Sequence, residues 1–210
     1  MSRMGIIVNV DECIGCHACF IACKQENQVS PNIQWNRIRK VENREKNIIN
    51  YFRASCQHCE DPDCLKVCPM KAVYKGPHGE ILIDQDKCIA CKACLAACPY
   101  GMPMFNDQKL TSYFGEKQPL FSPSNPPTKN AQPGKAEHCT LCSHRLAKGK
   151  EPACVEICPA KALTLVDFDA PTEKQKKLLS KAVQLKAGVD TKPKVRYICS
   201  NMDFREVALK

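Results

Sequence analysis

The chain has 210 residues, enough for one large or two small domains. Seventeen are cysteine, 6% are aromatic, and the formal charge is +9. The odd cysteine count, with no apolar h-region ahead of the first cysteine, argues against a secreted disulfide scaffold. No stretch approaches the roughly 18 apolar residues of a membrane span.

Residues 5–10, GIIVNV, are expected to form a strand that enters CIGCHACFIAC, which carries Cys13, Cys16, Cys19 and Cys23. A short helix is expected over Ala18–Gln25. Residues 24–55 form a long connection, where Ile38, Val41 and the run Ile48–Phe52 suggest strands or a hairpin outside the cysteine-rich core. Trp35, the only tryptophan, reads as a packing residue, with a partner-interface anchor as the alternative.

Next comes CQHCEDPDCLKVCP, with Cys56, Cys59, Cys64 and Cys68. Cys64–Cys68 is expected on a helical turn that Asp63 would help to start. Residues 71–83 read as a hairpin bent at His78-Gly79. CIACKACLAACP follows, with Cys88, Cys91, Cys94 and Cys98, as a loop and a short helix. Residues 101–138 are rich in Pro, Asn, Lys and Gly and read as a surface excursion.

The fourth group, CTLCSHRLAKGKEPACVEICP, carries Cys139, Cys142, Cys154 and Cys158. A final helix is expected after Pro171, with Thr172 as N-cap and Gln175 as its capping-box partner. Leu178, Leu179, Ala182, Val183 and Leu185 define its apolar side, and Gly188 is expected to end it. That side either docks on the chain's own core or faces another subunit.

Groups one and three share the spacing C-x2-C-x2-C-x3-C. Thiolates three residues apart wrap one cubane and reach three of its irons, while the last cysteine reaches a second cluster. Zinc is usually held by two separated CxxC knuckles and has no use for the third close cysteine. Groups two and four widen the middle gap to EDPD and SHRLAKGKEPA. Alone, either fits zinc. Both, however, end in C-x3-C-P, followed by Pro69-Met-Lys-Ala-Val73 or Pro159-Ala-Lys-Ala-Leu163. The entry strands repeat as well, Ile6–Cys13 against Ile81–Cys88. These repeats of strand, cysteine loop, short helix and return strand favour four clusters over two clusters and two zincs. The thiolates would bring negative charge, so the basic surplus is largely compensation and gives little support to nucleic-acid binding.

The other candidates are secondary. Lys24, Lys66 and Lys92 adjoin ligand cysteines and read as solvated charge, with a rise in cluster potential as the alternative. His17, His58 and His144 lie in or beside the motifs, but the cysteine complement is already full. Cys199 reads as a buried free thiol, with reactivity or an intermolecular bond as the alternative. No GxGxxG or GxxxxGK[ST] is present, and no catalytic constellation is evident. The chain is therefore expected to bind no substrate.

A ferredoxin pair shares its fourth cysteines. Groups two and three, adjacent in sequence, make one natural pair and leave groups one and four as the other. From Gly5 to Asp167, the motifs CIGCHAC, CQHCEDPDCLKVCP, CIACKACLAACPYGMP and CTLCSHRLAKGKEPACVEICP resemble the four-cluster ferredoxin-like beta subunits of molybdopterin or tungstopterin oxidoreductases. Known members serve dimethyl sulfoxide, polysulfide, thiosulfate and arsenate reductases. The resemblance implies an α+β fold of two ferredoxin-like di-cluster modules, with loop excursions and a C-terminal helix.

It also implies four [4Fe–4S] clusters with crosswise ligation. Cluster one takes Cys13, Cys16, Cys19 and Cys158; cluster two takes Cys139, Cys142, Cys154 and Cys23. Cluster three takes Cys56, Cys59, Cys64 and Cys98; cluster four takes Cys88, Cys91, Cys94 and Cys68. Residues 1–55 and 136–170 are then the first module, with an excursion at 24–55, and residues 56–103 the second. Residues 104–135 become an inserted partner-contact loop, and residues 171–210 a C-terminal helix and tail.

The implied role is a non-catalytic relay of single electrons, in anaerobic respiration, to or from a large pterin-bearing subunit. A membrane anchor or a soluble carrier would be the further partner. The location would be cytoplasmic, or extracytoplasmic after folded export on a partner's signal, with peripheral attachment through a membrane subunit. The stretch from Pro99 to His138 is longer than usual for the family. Residues 168–210 carry no family motif and no terminal membrane helix. The alternatives are a relay subunit of a hydrogenase or another non-pterin complex, and a zinc-stabilised binding module. The core is expected to be organised around the clusters rather than a continuous apolar interior.

Overall fold

The computed structural model describes residues 2–107, 132–185 and 190–209. A three-stranded sheet brings together strands from the two ends of the chain. Its central strand β1 (Met4–Asn9) pairs antiparallel with β8 (Leu163–Asp167) and parallel with β9 (Val195–Ile198). Ile6, Ile7 and Val8 are all buried, because β1 is covered on both faces. Ile6 and Val8 join the main core, while Ile7 packs with Val166 and Ile198.

The other strands form small hairpins. β2 (Asn36–Asn43) pairs with β3 (Ile48–Ser55), β4 (Val73–Lys75) with β5 (Ile81–Ile83), and β6 (Met104–Asn106) with β7 (Lys135–Glu137), all antiparallel. The β4–β5 turn holds His78-Gly79, as its sequence suggests, with Gly79 at φ +73°. Five short helices carry the cysteines or immediately follow them: α1 (Ala18–Asn27), α2 (Asp63–Lys66), α3 (Ala93–Ala97), α4 (Ser143–Leu146) and α5 (Ala153–Glu156).

The β2–β3 hairpin does not lie outside the cysteine-rich core. Phe52, Arg53, Ala54 and Ser55 are all buried. The reason is aromatic packing: the Phe52 ring meets Tyr197 edge-on at 5.9 Å and Phe204 edge-on at 4.7 Å, and Tyr197 stacks on Phe204 at 5.0 Å. This contact also ties the C-terminal segment to β3. The main core runs from Ile6 through Trp35 and Phe52 to Phe204, with cysteines such as Cys19, Cys56 and Cys139 set into it, while Val73, Ile81, Ile83 and Ala136 form a separate one beside Cys64, Cys68, Cys88 and Cys94. Apolar packing is thus substantial, but it is divided among separate clusters, and the first two include motif cysteines.

The long stretch after Gly101 is not wholly loop. Both ends of the inserted segment are strand, and Ala136, Glu137 and His138 are buried. The part between, residues 108–131, lies outside the described residues.

The final helix α6 (Glu173–Leu179) has the expected capping box. Gln175 N–H donates to Thr172 Oγ1 at 3.3 Å, and Thr172 N–H donates to Gln175 Oε1 at 2.8 Å. It stops well short of Gly188, which is outside the described residues. Val183 exchanges two backbone hydrogen bonds of 2.8 Å with Tyr197, and that bridge competes with further helix. The apolar side docks at home: Leu178, Leu179 and Ala182 pack on Ile7, Val166 and Ile198, while Leu185 enters the main core.

Candidate metal centres

Among the described residues, four voids are each lined by four cysteines, and the four sets share none. Void one has Cys13, Cys16, Cys19 and Cys158. Void two has Cys23, Cys139, Cys142 and Cys154. Void three has Cys56, Cys59, Cys64 and Cys98. Void four has Cys68, Cys88, Cys91 and Cys94. Counting the space at their mouths, they measure about 340, 260, 360 and 360 Å³. In each set, three cysteines come from one motif and one from another.

Local backbone explains how short motifs make such cradles. The residue before the second cysteine of every motif is left-handed: Gly15 (φ +69°), His58 (+45°), Ala90 (+62°) and Leu141 (+53°). Only Gly15 adopts this without a Cβ penalty. The sequence shows a glycine at one of four equivalent turns, so the conformation at the other three was not legible.

A second turn recurs after each C-x3-C-P. Lys71, Gly101 and Lys161 all have positive φ, and their N–H groups donate to the carbonyls of Cys68, Cys98 and Cys158 at 3.1–3.2 Å. The next N–H then reaches sulfur in two cases. Ala72 donates to Cys68 Sγ at 3.3 Å and Met102 to Cys98 Sγ at 3.5 Å. Cys23 has no proline after it, and α1 runs on through it. There the side chain of Asn27, also four residues on, lies 3.8 Å from Cys23 Sγ. His58 and Leu141 N–H groups donate to Cys56 and Cys139 Sγ at 3.5 and 3.4 Å.

These cradles suit a multi-iron group. The donors are four soft thiols with N–H groups directed at their sulfurs, which is how iron–sulfur centres are held and tuned. Among the described residues, no three His, Cys, Asp or Glu side chains converge as they would on a single ion. Burial pushes the Cys19, Cys64 and Cys142 thiols up to about 12, and those of Cys59 and Cys94 to about 11. Such thiols stay protonated at neutral pH until iron displaces the proton.

Lining residues link the voids one to two, two to three and three to four. Arg53 lines both one and two. One strand end passes the other three: Ala136 lines four, His138 three, and Cys139 two. α2 packs on α3, joining three to four. Cys16 in void one and Cys91 in void four are exposed, whereas every cysteine of void two is buried.

The secondary candidates sit as follows. Lys24 is half-buried rather than solvated, donating to the Ser30 and Pro31 carbonyls. Lys66 pairs with Asp61 and Asp63, and Lys92 lies over the Phe105 ring at 4.1 Å. His17 lines void one. His58 Nδ1 accepts from Ile81 N–H at 3.1 Å, and burial pushes its pKa well down, so it is neutral. His144 meets Glu26 Oε1 at 2.8 Å. Trp35 is a packing residue whose indole N–H donates to buried Glu137 at 2.7 Å. Cys199 is half-buried rather than buried, because it lies where the polypeptide leaves β9; its Sγ donates to Asn201 at 3.2 Å.

Sequence reasoning missed Arg53 and Asn27, which touch motif sulfur from outside the motifs. Arg53 has no local signal, and Asn27, one helical turn after Cys23, meets Cys142 only through the tertiary fold.

Fold and cradles together define a ferredoxin-like dicluster protein, α+β in class, with two such modules. The 4Fe-4S dicluster domain family matches residues 48–113 and 119–168, and a second family of the same description matches residues 12–72. The arsenate respiratory reductase iron–sulfur subunit of Shewanella sp. (strain ANA-3) is 36% identical, covering 94% of this protein and 97% of its own length. The B subunit of the Wolinella succinogenes polysulfide reductase is 35% identical, covering 92% of each. The B subunit of the anaerobic dimethyl sulfoxide reductase of Escherichia coli (strain K12) is 33% identical, covering 84% and 78%.

The chain belongs to the family of iron–sulfur electron-transfer (beta) subunits of molybdopterin or tungstopterin oxidoreductases. It corresponds to the non-catalytic relay subunit of such a complex, not to the pterin-bearing subunit. Among the described residues, no helix is long and apolar enough to cross a membrane.

Proposed function

We propose that the protein carries four [4Fe–4S] clusters, one in each void, and passes single electrons along the order one, two, three, four. Cys13, Cys16, Cys19 and Cys158 would hold the first; Cys23, Cys139, Cys142 and Cys154 the second. Cys56, Cys59, Cys64 and Cys98 would hold the third; Cys68, Cys88, Cys91 and Cys94 the fourth. Each cluster, when bound, takes up and releases one electron. The protein's part is to fix their positions, exclude water from the inner ones and tune potentials through N–H donors and charge.

The observation that carries this reading is the division of sixteen cysteines into four sets of four around separate voids. The same sets support residues 1–55 with 136–170 as one module and residues 56–103 as the other. Zinc knuckles would need thiols converged on points rather than spread around voids.

The ends of the row are the exchange points. Exposed Ile14 and Ile157 lie in or beside the cysteine loops of void one, and exposed Met70 and Ile89 line void four. One end would face a large molybdopterin or tungstopterin subunit, and the other a membrane anchor or a soluble carrier. The relatives serve reductases of arsenate, polysulfide and dimethyl sulfoxide, so electron delivery is the shared property and substrate choice belongs to the partner. Location would follow that partner, in the cytoplasm or beyond it.

Native co-purification with metal analysis tests the reading. About sixteen iron and sixteen sulfide per polypeptide are expected, with molybdenum or tungsten in the co-purifying subunit. Stoichiometric zinc in a colourless protein would overturn the cluster assignment, and nickel in the partner would point to a hydrogenase instead.

A further inference from the structure

Arg53 is the largest fully buried side chain, with 1% exposure. β3 carries it into the wall that separates voids one and two, and it lines both. Its cross-strand partner Ile38 also lines void one. Nη2 donates to Cys139 Sγ at 3.6 Å. Its Nε and Nη1, equally buried, meet no acceptor among the described residues. A guanidinium stays charged, and a buried donor without an acceptor is costly, so these two groups call for acceptors that the polypeptide itself does not supply.

We propose that Arg53 is a positioning residue shared by clusters one and two, donating its remaining N–H groups to cluster sulfur and holding both potentials up with its charge. This rests on the cluster assignment above. The physical reason is that reduction adds negative charge to each cluster, and a fixed buried cation stabilises the reduced form more than the oxidised. The exposed lysines beside the motifs act far more weakly, because solvent screens them. A single cation between two clusters raises both together, so it changes the difference between them less than it changes either one.

The test is a redox titration of the holoprotein followed by electron paramagnetic resonance, with iron analysis, on the native protein and its Arg53→Gln and Arg53→Lys variants. With full iron, Arg53→Gln is expected to lower two of the four midpoint potentials and leave two unchanged. Four unchanged potentials, or four lowered alike, would overturn the proposal. Should Arg53→Gln lose iron, the lysine variant decides. Full iron with unshifted potentials supports the charge as the working part, and full iron with two lowered potentials supports the guanidinium N–H groups; lost iron, or four potentials lowered alike, assigns Arg53 to packing alone. Failure of the cluster assignment itself would appear earlier, as native protein with less iron than four clusters need.

Discussion

The side-chain amide of Asn27 lies 3.6 Å from Cys142 Sγ, a residue 115 positions away. The same nitrogen is 3.8 Å from Cys23 Sγ and donates to the Cys23 carbonyl at 3.1 Å. One donor thus spans two cysteines of void two that come from the first and fourth motifs. Replacing it tests that link. A hydrogen bond to a charged group is worth about 1.5–3 kcal/mol. Only the part that changes on reduction moves a potential, at about 59 mV per tenfold for one electron. Asn27→Leu is therefore expected to lower one midpoint potential by tens of millivolts, with the other three fixed. A titration in which no potential moves would remove Asn27 from the tuning of void two.

Crosswise ligation makes a pairing prediction that local ligation does not. Cys158 lies in motif four but lines void one, and Cys23 lies in motif one but lines void two. Cys158→Ser should change the same resonance signal as Cys13→Ser. Cys23→Ser should change the same signal as Cys139→Ser. If the variants sort by motif instead, with Cys23 alongside Cys13, each motif closes its own cluster and the crosswise assignment fails.

The repeated left-handed turn gives a stability prediction. Ala90 has φ +62° at the position where Gly15 has +69° in the first motif. A left-handed residue with a Cβ costs roughly 1–2 kcal/mol relative to the right-handed form, whereas glycine occupies the region freely. Glycine also has more unfolded-state freedom to lose, which offsets part of the gain. Ala90→Gly is expected to leave the iron content intact and raise stability by about 0.5–1 kcal/mol, read as a higher thermal midpoint. The reverse change, Gly15→Ala, should lower it by more, because a Cβ there would run into the Tyr51 ring. A destabilised Ala90→Gly would show that the turn is not strained.

These turns mark the border of what the sequence discloses. Cysteine spacing identifies the cradles because the ligands are close in sequence and their chemistry is narrow. Thr172 and Gln175 reveal the helix start for the same reason, since a capping box is a local contact. β9 was illegible: VRYI is a strand only because β1 has a free edge for it. The burial of Phe52 and Arg53 was illegible too, because a hairpin with charged residues on its outer half, such as Lys40 and Glu42, conceals an inner half that meets Tyr197 and Phe204. Helix α6 stopped early for a reason 14 residues downstream of Val183, the strand residue Tyr197. Non-local pairing decided each of these, and periodicity does not report it.

The loop SHRLAKGKEPA, which widens the fourth motif, is held against α1 by charge, and this gives a pH prediction. Glu26 takes His144 Nε2 at 2.8 Å on one oxygen and Arg145 Nη1 at 2.9 Å on the other, while Arg145 also pairs with Glu156. Burial alone would push the Glu26 carboxyl up, but the His144 hydrogen bond and Arg145 outweigh it and hold its pKa below the usual 4.5. A depressed folded pKa gives stability that is complete above the unfolded value and is lost as pH falls through the folded one. Glu26→Gln is expected to cost about 1–2 kcal/mol at neutral pH, given a pair that is mostly but not wholly buried. The loop carries Cys142 at one end and Cys154 at the other, so the variant should release iron faster at neutral pH. Native and variant rates should converge only once pH has fallen below the depressed Glu26 pKa, where the native carboxylate is itself protonated. Equal rates at neutral pH would mean that the ion pairs do not hold the loop, leaving its position to the packing of Leu146 in the core.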